Sequence, residues 1–353
     1  MLFKKQARWK WYSCYSSERH DTRFWQFSDL ANPTSMKNSF QRIILVTWAV
    51  LLCTASVWAF GELGANVSFD DRGPSRKQLR IIKQAKLKIK KLHHVIGPTR
   101  PGDWLESHKE SGQTYRQYTK SNPVRLTKER NVLYVVPLGE FNEKQEEIVK
   151  LSTEFLGLYF NCKTKQLPTI SLDEIPAKAR RVHPSWGVRQ ILSTYALNDV
   201  LRPKLPDDAA ALIALTSSDL YPADDWNFVF GQASLRHRVG VWSIFRNGDL
   251  ATEFKTVLRR TLQTATHETG HMFSIKHCIA YECNMCGSNG RAESDRRPLY
   301  CCPECAAKIW WATDSDPAKR YERLVKFCEK NDLTKTAEFF QKSVEQIRGE
   351  ATK

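Results

Sequence analysis

Apolar residues recur along this chain in two spacings. Residues 131–138 and 210–216 are nearly unbroken apolar runs, and each predicts a buried strand. Residues 228–230 predict a further strand. Residues 239–246 alternate and follow closely, which predicts a hairpin with that strand. A short strand is expected at 167–172. Elsewhere the period lengthens to that of a helix. Ile148, Leu151, Phe155 and Leu158 share one face of a helix predicted over 143–159, and residues 190–201 predict a second, ended by Pro203. A long helix is predicted over 253–273. Residues 75–96 repeat Leu79, Ile82, Ala85, Ile89, Leu92 and Ile96 at helical spacing before Gly97 and Pro98 stop them. Residues 318–330 and 334–348 predict two amphipathic helices. Helices and strands that alternate ahead of the long helix predict an α/β fold, a mixed twisted sheet with packed helices. Residues 101–118 read as a loop-rich lead-in, and no internal repeat appears.

One stretch fits neither spacing. Residues 43–60 are eighteen apolar or small residues without a charge, just enough to span a bilayer. If translation starts at Met36, residues 36–42 form a short positive region ahead of an apolar one, and Val57-Trp58-Ala59 suits a signal peptidase. If it starts upstream, the segment is an uncleaved anchor. Either way the following domain is expected outside the cytoplasm, exported or membrane-anchored. The chain divides into a signal or anchor (1–60), a linker and basic helix (61–100), a main domain (101–312) and C-terminal helices (313–353).

Composition changes this picture little. The chain has 353 residues, of which 41% are hydrophobic, enough for one substantial domain with extensions. Its net charge of +16 admits nucleic acid or an anionic surface as partner. No nucleic-acid-binding module is recognisable, so none is expected to bind, and the charge is taken as a solvated surface. The helix at 75–96 carries much of it, with eight Lys/Arg and no acid. A membrane-surface helix is the sharper reading of it, and packing on the domain through its apolar stripe the preferred one.

The chemistry lies between His267 and Cys305. His267, Glu268 and His271 form HExxH. Two histidines four apart on a helix reach one ion, and the glutamate beside them can take a proton from the water that ion activates. His277, six residues on, suits a chain that leaves the helix and folds back as third ligand. Three ligands and an open fourth position describe a catalytic zinc. Cys278, Cys283, Cys302 and Cys305 offer two pairs of thiolates for a closed tetrahedral zinc. Cys301 could replace Cys302, but the x2 spacing to Cys305 favours Cys302. Disulfides are the rival reading of these cysteines.

HExxH with a third histidine, cysteines directly after it, the Cys283-x-Met285 step and the Cys302-Pro-Glu-Cys305 pair resemble the archaemetzincin family. Residues 294–299 resemble its linker between the metal elements. Residues 186–188, 220–222, 230–233 and 240–243 resemble its other blocks, so the likeness covers roughly 97–308. The resemblance implies a metzincin-like zinc metallopeptidase, often discussed as an aminopeptidase, acting on a peptide or protein substrate. It implies an active-site helix carrying HExxH, followed by a zinc-stapled C-terminal subdomain. It implies two zinc ions: a catalytic one on His267, His271 and His277 with Glu268 as general base, and a structural one on the four cysteines. Met285 would form the hydrophobic floor of the site. The strand at 239–245, with Val239, Val241 and Trp242, is expected to grip an extended peptide by edge pairing. One position departs from the pattern: Ser274 stands where the motif has glycine. Either the same left-handed backbone is kept at a cost of about 1–2 kcal/mol, or the turn before His277 changes. That serine is the one hint of the alternative function, a zinc-binding protein that has lost turnover.

Overall fold

The computed structural model describes residues 73–234 and 236–349. Residues 43–60 and the alternative start at Met36 lie outside the described residues. Among those described, no helix is long and apolar enough to cross a membrane.

Among the described residues, eight strands form two sheets. The strands are β1 (Val132–Leu138), β2 (Lys163–Gln166), β3 (Arg180–Val182), β4 (Arg189–Leu192), β5 (Ala209–Thr216), β6 (Asp219–Tyr221), β7 (Gly231–Ala233) and β8 (Val239–Ser243). The main sheet has the order β2-β1-β5-β8-β7, parallel except for the β7–β8 pair. A smaller sheet joins β3, β4 and β6. Period-2 alternation divides β1 and β5 between two cores. Leu133, Val135, Ala211, Ile213 and Leu215 face the larger one, and Tyr134, Val136, Leu212 and Ala214 the smaller.

Helices cover the larger core. Among the described residues the α-helices are α1 (Arg76–Ile89), α2 (Trp104–Ser107), α3 (Tyr115–Lys120), α4 (Glu143–Phe160), α5 (Ser193–Tyr195), α6 (Phe254–Met272), α7 (Arg291–Arg296), α8 (Pro303–Ala312), α9 (Pro317–Lys330) and α10 (Thr334–Arg348). Buried residues of α1, α4, α6, α8, α9 and α10 belong to this one core, so the basic helix and the two C-terminal helices complete it. The α1 stripe buries Ile82, Ala85 and Ile89, and leaves Lys77, Arg80 and Lys83 exposed.

Four local expectations need correction. The strand expected at 167–172 lies earlier, at β2, whose side chains are mostly exposed; within 167–172, Leu167 N–H donates to Val135 O and Ile170 makes an isolated bridge with Leu138. A polar edge strand has no apolar pattern to read. The helix expected from 190 begins at Ser193, because residues 189–192 are drawn into β4 by β3 and β6. The strand expected at 228–230 is β7, at 231–233, while Val229 makes an isolated bridge to Leu220. Finally, β8 is not an edge. It is paired with β5 on one side and β7 on the other, so the peptide-gripping role assigned to Val239, Val241 and Trp242 fails. All three are fully buried.

Candidate metal centre

α6 carries His267 and His271 one turn apart and ends directly beyond them. Its last turn closes with Ser274 N–H donating to His271 O (2.7 Å) and Ile275 N–H to Gly270 O (3.1 Å), the pattern of a left-handed helix cap. Ser274 takes φ +64°, the conformation a glycine would adopt freely. Its strain is offset locally. Ser274 Oγ accepts from Val124 N–H (3.1 Å), and Ser274 O accepts from Gln113 Nε2 (3.3 Å). The motif backbone is therefore kept with serine in place of glycine, and the chain turns back to present His277.

The three imidazoles converge, with one nitrogen from each within 4.8 Å of the others. Each has its Nδ1 pinned. His267 Nδ1 lies 2.7 Å from Asn284 O, His271 Nδ1 2.7 Å from Ile275 O, and His277 Nδ1 2.8 Å from Glu110 Oε1. Nδ1 must donate in every case, which leaves the lone pair on Nε2. His267 Nε2 and His271 Nε2 stand 3.0 Å apart with no proton to share. Buried His277 Nε2 has no hydrogen-bond partner. Three lone pairs aimed at one point repel one another unless a cation joins them. Nitrogens about 2.0–2.1 Å from one tetrahedral zinc lie about 3.3 Å apart, so the donor set fits that ion. Burial also lowers the pKa of His267 to about 4 and that of His271 well below the usual range, which keeps both in the neutral, metal-binding form.

Glu268 faces the neighbouring cleft. It is 4% exposed, its Oε2 has no hydrogen-bond partner, and burial pushes its carboxyl pKa up to about 8. The cleft encloses ≈ 70 Å³. It is lined by Val229, Phe230 and Gly231, by Gln263, Thr264, His267 and Glu268 of α6, and by Asn284, Cys286 and Arg297. Gly231 matters because a Cβ there would sit 2.8 Å from Trp242 Cβ and 3.1 Å from Glu268 Cγ. β7 can pass this close to α6 only without a side chain. Met285 packs under α6 at Gly270, where an added Cβ would meet its Sδ at 2.6 Å.

Directly after His277 comes the thiol cluster. The Sγ atoms of Cys278, Cys283, Cys302 and Cys305 lie within 4.8 Å of one another, all buried. Cys278 and Cys302 sulfurs are 3.7 Å apart. Sulfurs about 2.3 Å from one tetrahedral zinc lie about 3.8 Å apart, whereas a disulfide needs about 2.05 Å. Cys283 Sγ accepts from Cys302 N–H (3.2 Å) and Met285 N–H (3.4 Å), bonds that suit a thiolate. Hydrogen bonds from Cys283, Cys286, Cys302 and Cys305 favour the Cys278 thiolate. Ionising the others is then opposed, for Cys283 chiefly by burial and for Cys302 and Cys305 chiefly by their bonds to Cys278. A shared divalent cation removes that conflict. Cys301 stands outside the cluster, its sulfur 3.3 Å from Tyr159 Oη.

The structure thus assembles the three histidines, Glu268, Met285 and the four cysteines around α6 and the loop after it. It removes Val239, Val241 and Trp242 from the cleft and puts Val229, Phe230 and Gly231 there. It adds Glu110, Asn284 and Ile275 as partners of the imidazoles. His183 is structural, stacked on Trp186 at 3.8 Å.

Comparison with known proteins points to one family. Residues 188–310 match the family model described as Peptidase family M54. The chain is 32% identical over 268 residues to archaemetzincin-2 of Macaca fascicularis and 33% identical over 264 residues to that of Homo sapiens. Each alignment covers 65% of this chain and 72% of the relative. Archaemetzincin-1 of Homo sapiens is 25% identical over 256 residues, covering 63% of this chain and 51% of the relative. Among solved structures, archaemetzincin of Methanopyrus kandleri aligns at 27% identity with a TM-score of 0.44, over 53% of this chain and 98% of its own.

Proposed function

Because the chain belongs to the archaemetzincin family of zinc-dependent metallopeptidases, we propose that it hydrolyses peptide bonds at the three-histidine site with Glu268 as general base. The observation that carries this reading is the convergence of three pinned imidazoles beside a buried carboxylate whose Oε2 has no other partner. Zinc held by three neutral imidazoles supplies Lewis acidity, which polarises a carbonyl and acidifies a water near neutral pH.

The chain's own groups do the rest. The Nδ1 bonds fix the tautomer and the aim of each ring. Glu268, which the neighbouring cation would hold in its ionised form despite its burial, takes the proton of the attacking water at Oε2 and passes it to the leaving amine. Residues 229–231, the wall of the cleft next to Glu268, lay the substrate backbone along α6. Met285 supports the helix from below. The cysteine cluster would hold a second, structural zinc, so two ions per chain is the stoichiometry we propose. Ser274 gives no support to a catalytically silent protein, since the turn and the third ligand are in place with it.

Cleavage within an extended chain is favoured over removal of an N-terminal residue. Glu268 is the one carboxylate among the residues lining the cleft, and a free amino terminus needs a second acid as its anchor. The apolar run at 43–60 supports, from sequence alone, placement of the domain outside the cytoplasm, which protease accessibility in intact cells would test.

The test of function is cleavage of a mixed library of free and N-terminally acetylated peptides by wild type and Glu268→Gln. Cleavage by the wild type alone, in both peptide sets, is expected. Cleavage restricted to free amino termini would overturn the internal mode, and equal cleavage by the two proteins would overturn the role of Glu268.

A further inference from the structure

The three imidazoles do not have equivalent partners. His267 and His271 donate to backbone carbonyls, whereas His277 donates to a carboxylate, Glu110 Oε1, at 2.8 Å. A carboxylate is the stronger acceptor. It makes the imidazole it holds more basic at the other nitrogen. Glu110 lies 167 residues before His277 and outside the segment that matches the family model.

Two features tie this carboxylate to the site. First, among the described residues its one ion pair is with His277; Trp104 and the more distant His108 also favour the carboxylate, but no Lys or Arg pairs with it. A carboxylate three-quarters withdrawn from water without a cation of its own is costly to the fold. The cost falls if a cation sits at His277 Nε2, which is buried and has no hydrogen-bond partner. Second, Glu110 is carried on a strap, residues 103–115, that is fastened to the metal elements on either side. Trp104 N–H donates to the Glu293 carboxylate (3.0 and 3.2 Å), and its ring stands edge-on to His277 at 5.2 Å. Gly287 leaves the space for that ring, since a Cβ there would lie 2.5 Å from Trp104 Cδ1. Beyond Glu110, Gln113 bonds Ser274 O and Lys276 N–H, and Tyr115 N–H donates to Glu304 Oε2 (2.7 Å), next to Cys305. The same strap therefore braces the left-handed turn at Ser274 and orients the ligand that the turn presents.

We propose that Glu110 is a positioning residue for the catalytic metal site, fixing the tautomer of His277 and strengthening it as third ligand. The inference rests on the three-histidine reading above and extends it to a residue that touches no substrate.

The test is metal affinity measured site by site on the full chain, by chelator competition on the zinc-loaded protein and by titration with cobalt(II), whose absorption separates imidazole from thiolate sites. Glu110→Ala should weaken the imidazole site by about 10–100-fold and leave the thiolate site unchanged. Glu110→Gln, which keeps an acceptor of the same shape, should recover part of the loss. His277→Ala should weaken the same site further. Wild-type affinity in Glu110→Ala would overturn the proposal. So would an equal loss at both sites, which would make the strap a purely structural element. If the wild type takes metal only at thiolates, the three-histidine reading falls, and Glu110 with it.

Discussion

The histidine site and the cysteine site share the peptide bond between His277 and Cys278, yet they are finished differently. The cysteine site has four donors, all buried, with backbone N–H groups of Cys302 and Met285 turned onto the Cys283 sulfur. Four donors would fill the coordination of one tetrahedral ion and leave no position for a substrate. The histidine site has three donors, a buried carboxylate beside it and an adjoining cleft. The difference teaches how one segment divides its work. Cys283 enters the closed site, the next residue lends its carbonyl to His267, and the residue after that packs beneath Gly270. The saturated site therefore holds the loop from which the open site takes its aim.

Substitutions that strike one site and spare the other sharpen this contrast. The largest effect is expected from Cys283→Ala, which removes a thiolate and loosens the Asn284 and Met285 positions together. We expect loss of the thiolate-bound metal, a stability loss above about 4 kcal/mol by denaturant unfolding, and loss of activity as a consequence. Glu268→Gln should do the opposite: both metals and the melting temperature stay, while kcat/KM drops by about 10²–10⁴-fold. Gly270→Ala probes the seam between the sites. Its new methyl would overlap the Met285 sulfur, and a loss of about 1–3 kcal/mol is expected in thermal unfolding. The smallest effect belongs to the Ser274 turn. Ser274→Gly relieves about 1–2 kcal/mol of backbone strain and gives up one hydrogen bond of about 0.5–1.5 kcal/mol, so it should be near neutral. Ser274→Ala keeps the strain and leaves Val124 N–H without its acceptor, so it should be the less stable of the two by about 1–3 kcal/mol.

Much of the histidine site was legible in the sequence because its spacing is local. A one-turn separation on a helix fixes where His267 and His271 point, and CxxC at the start of α8 fixes Cys302 and Cys305. The partners of the imidazoles were not legible. Asn284 and Ile275 act through backbone carbonyls, which no side chain announces. Glu110 sits in a polar loop whose neighbours, Lys109 and Ser111, carry no pattern. Strand order was hidden for a similar reason. Alternation in 239–243 marks β8 as a strand but does not reveal that β7 closes its outer side, and the polar Lys163–Gln166 strand lacks the alternation altogether. Ser274 shows a third limit: its side chain signals strain, while the contacts that offset it come from residues 113 and 124.

The most direct test of two unlike metal sites in one segment is zinc content per chain combined with thiol counting, before and after a strong chelator. The predicted result is two zinc ions per wild-type chain, one in His277→Ala, and four additional reactive thiols when the last ion is stripped from either protein. One zinc in the wild type, or no gain of thiols on its removal, would contradict the pairing of an open histidine site with a closed cysteine site.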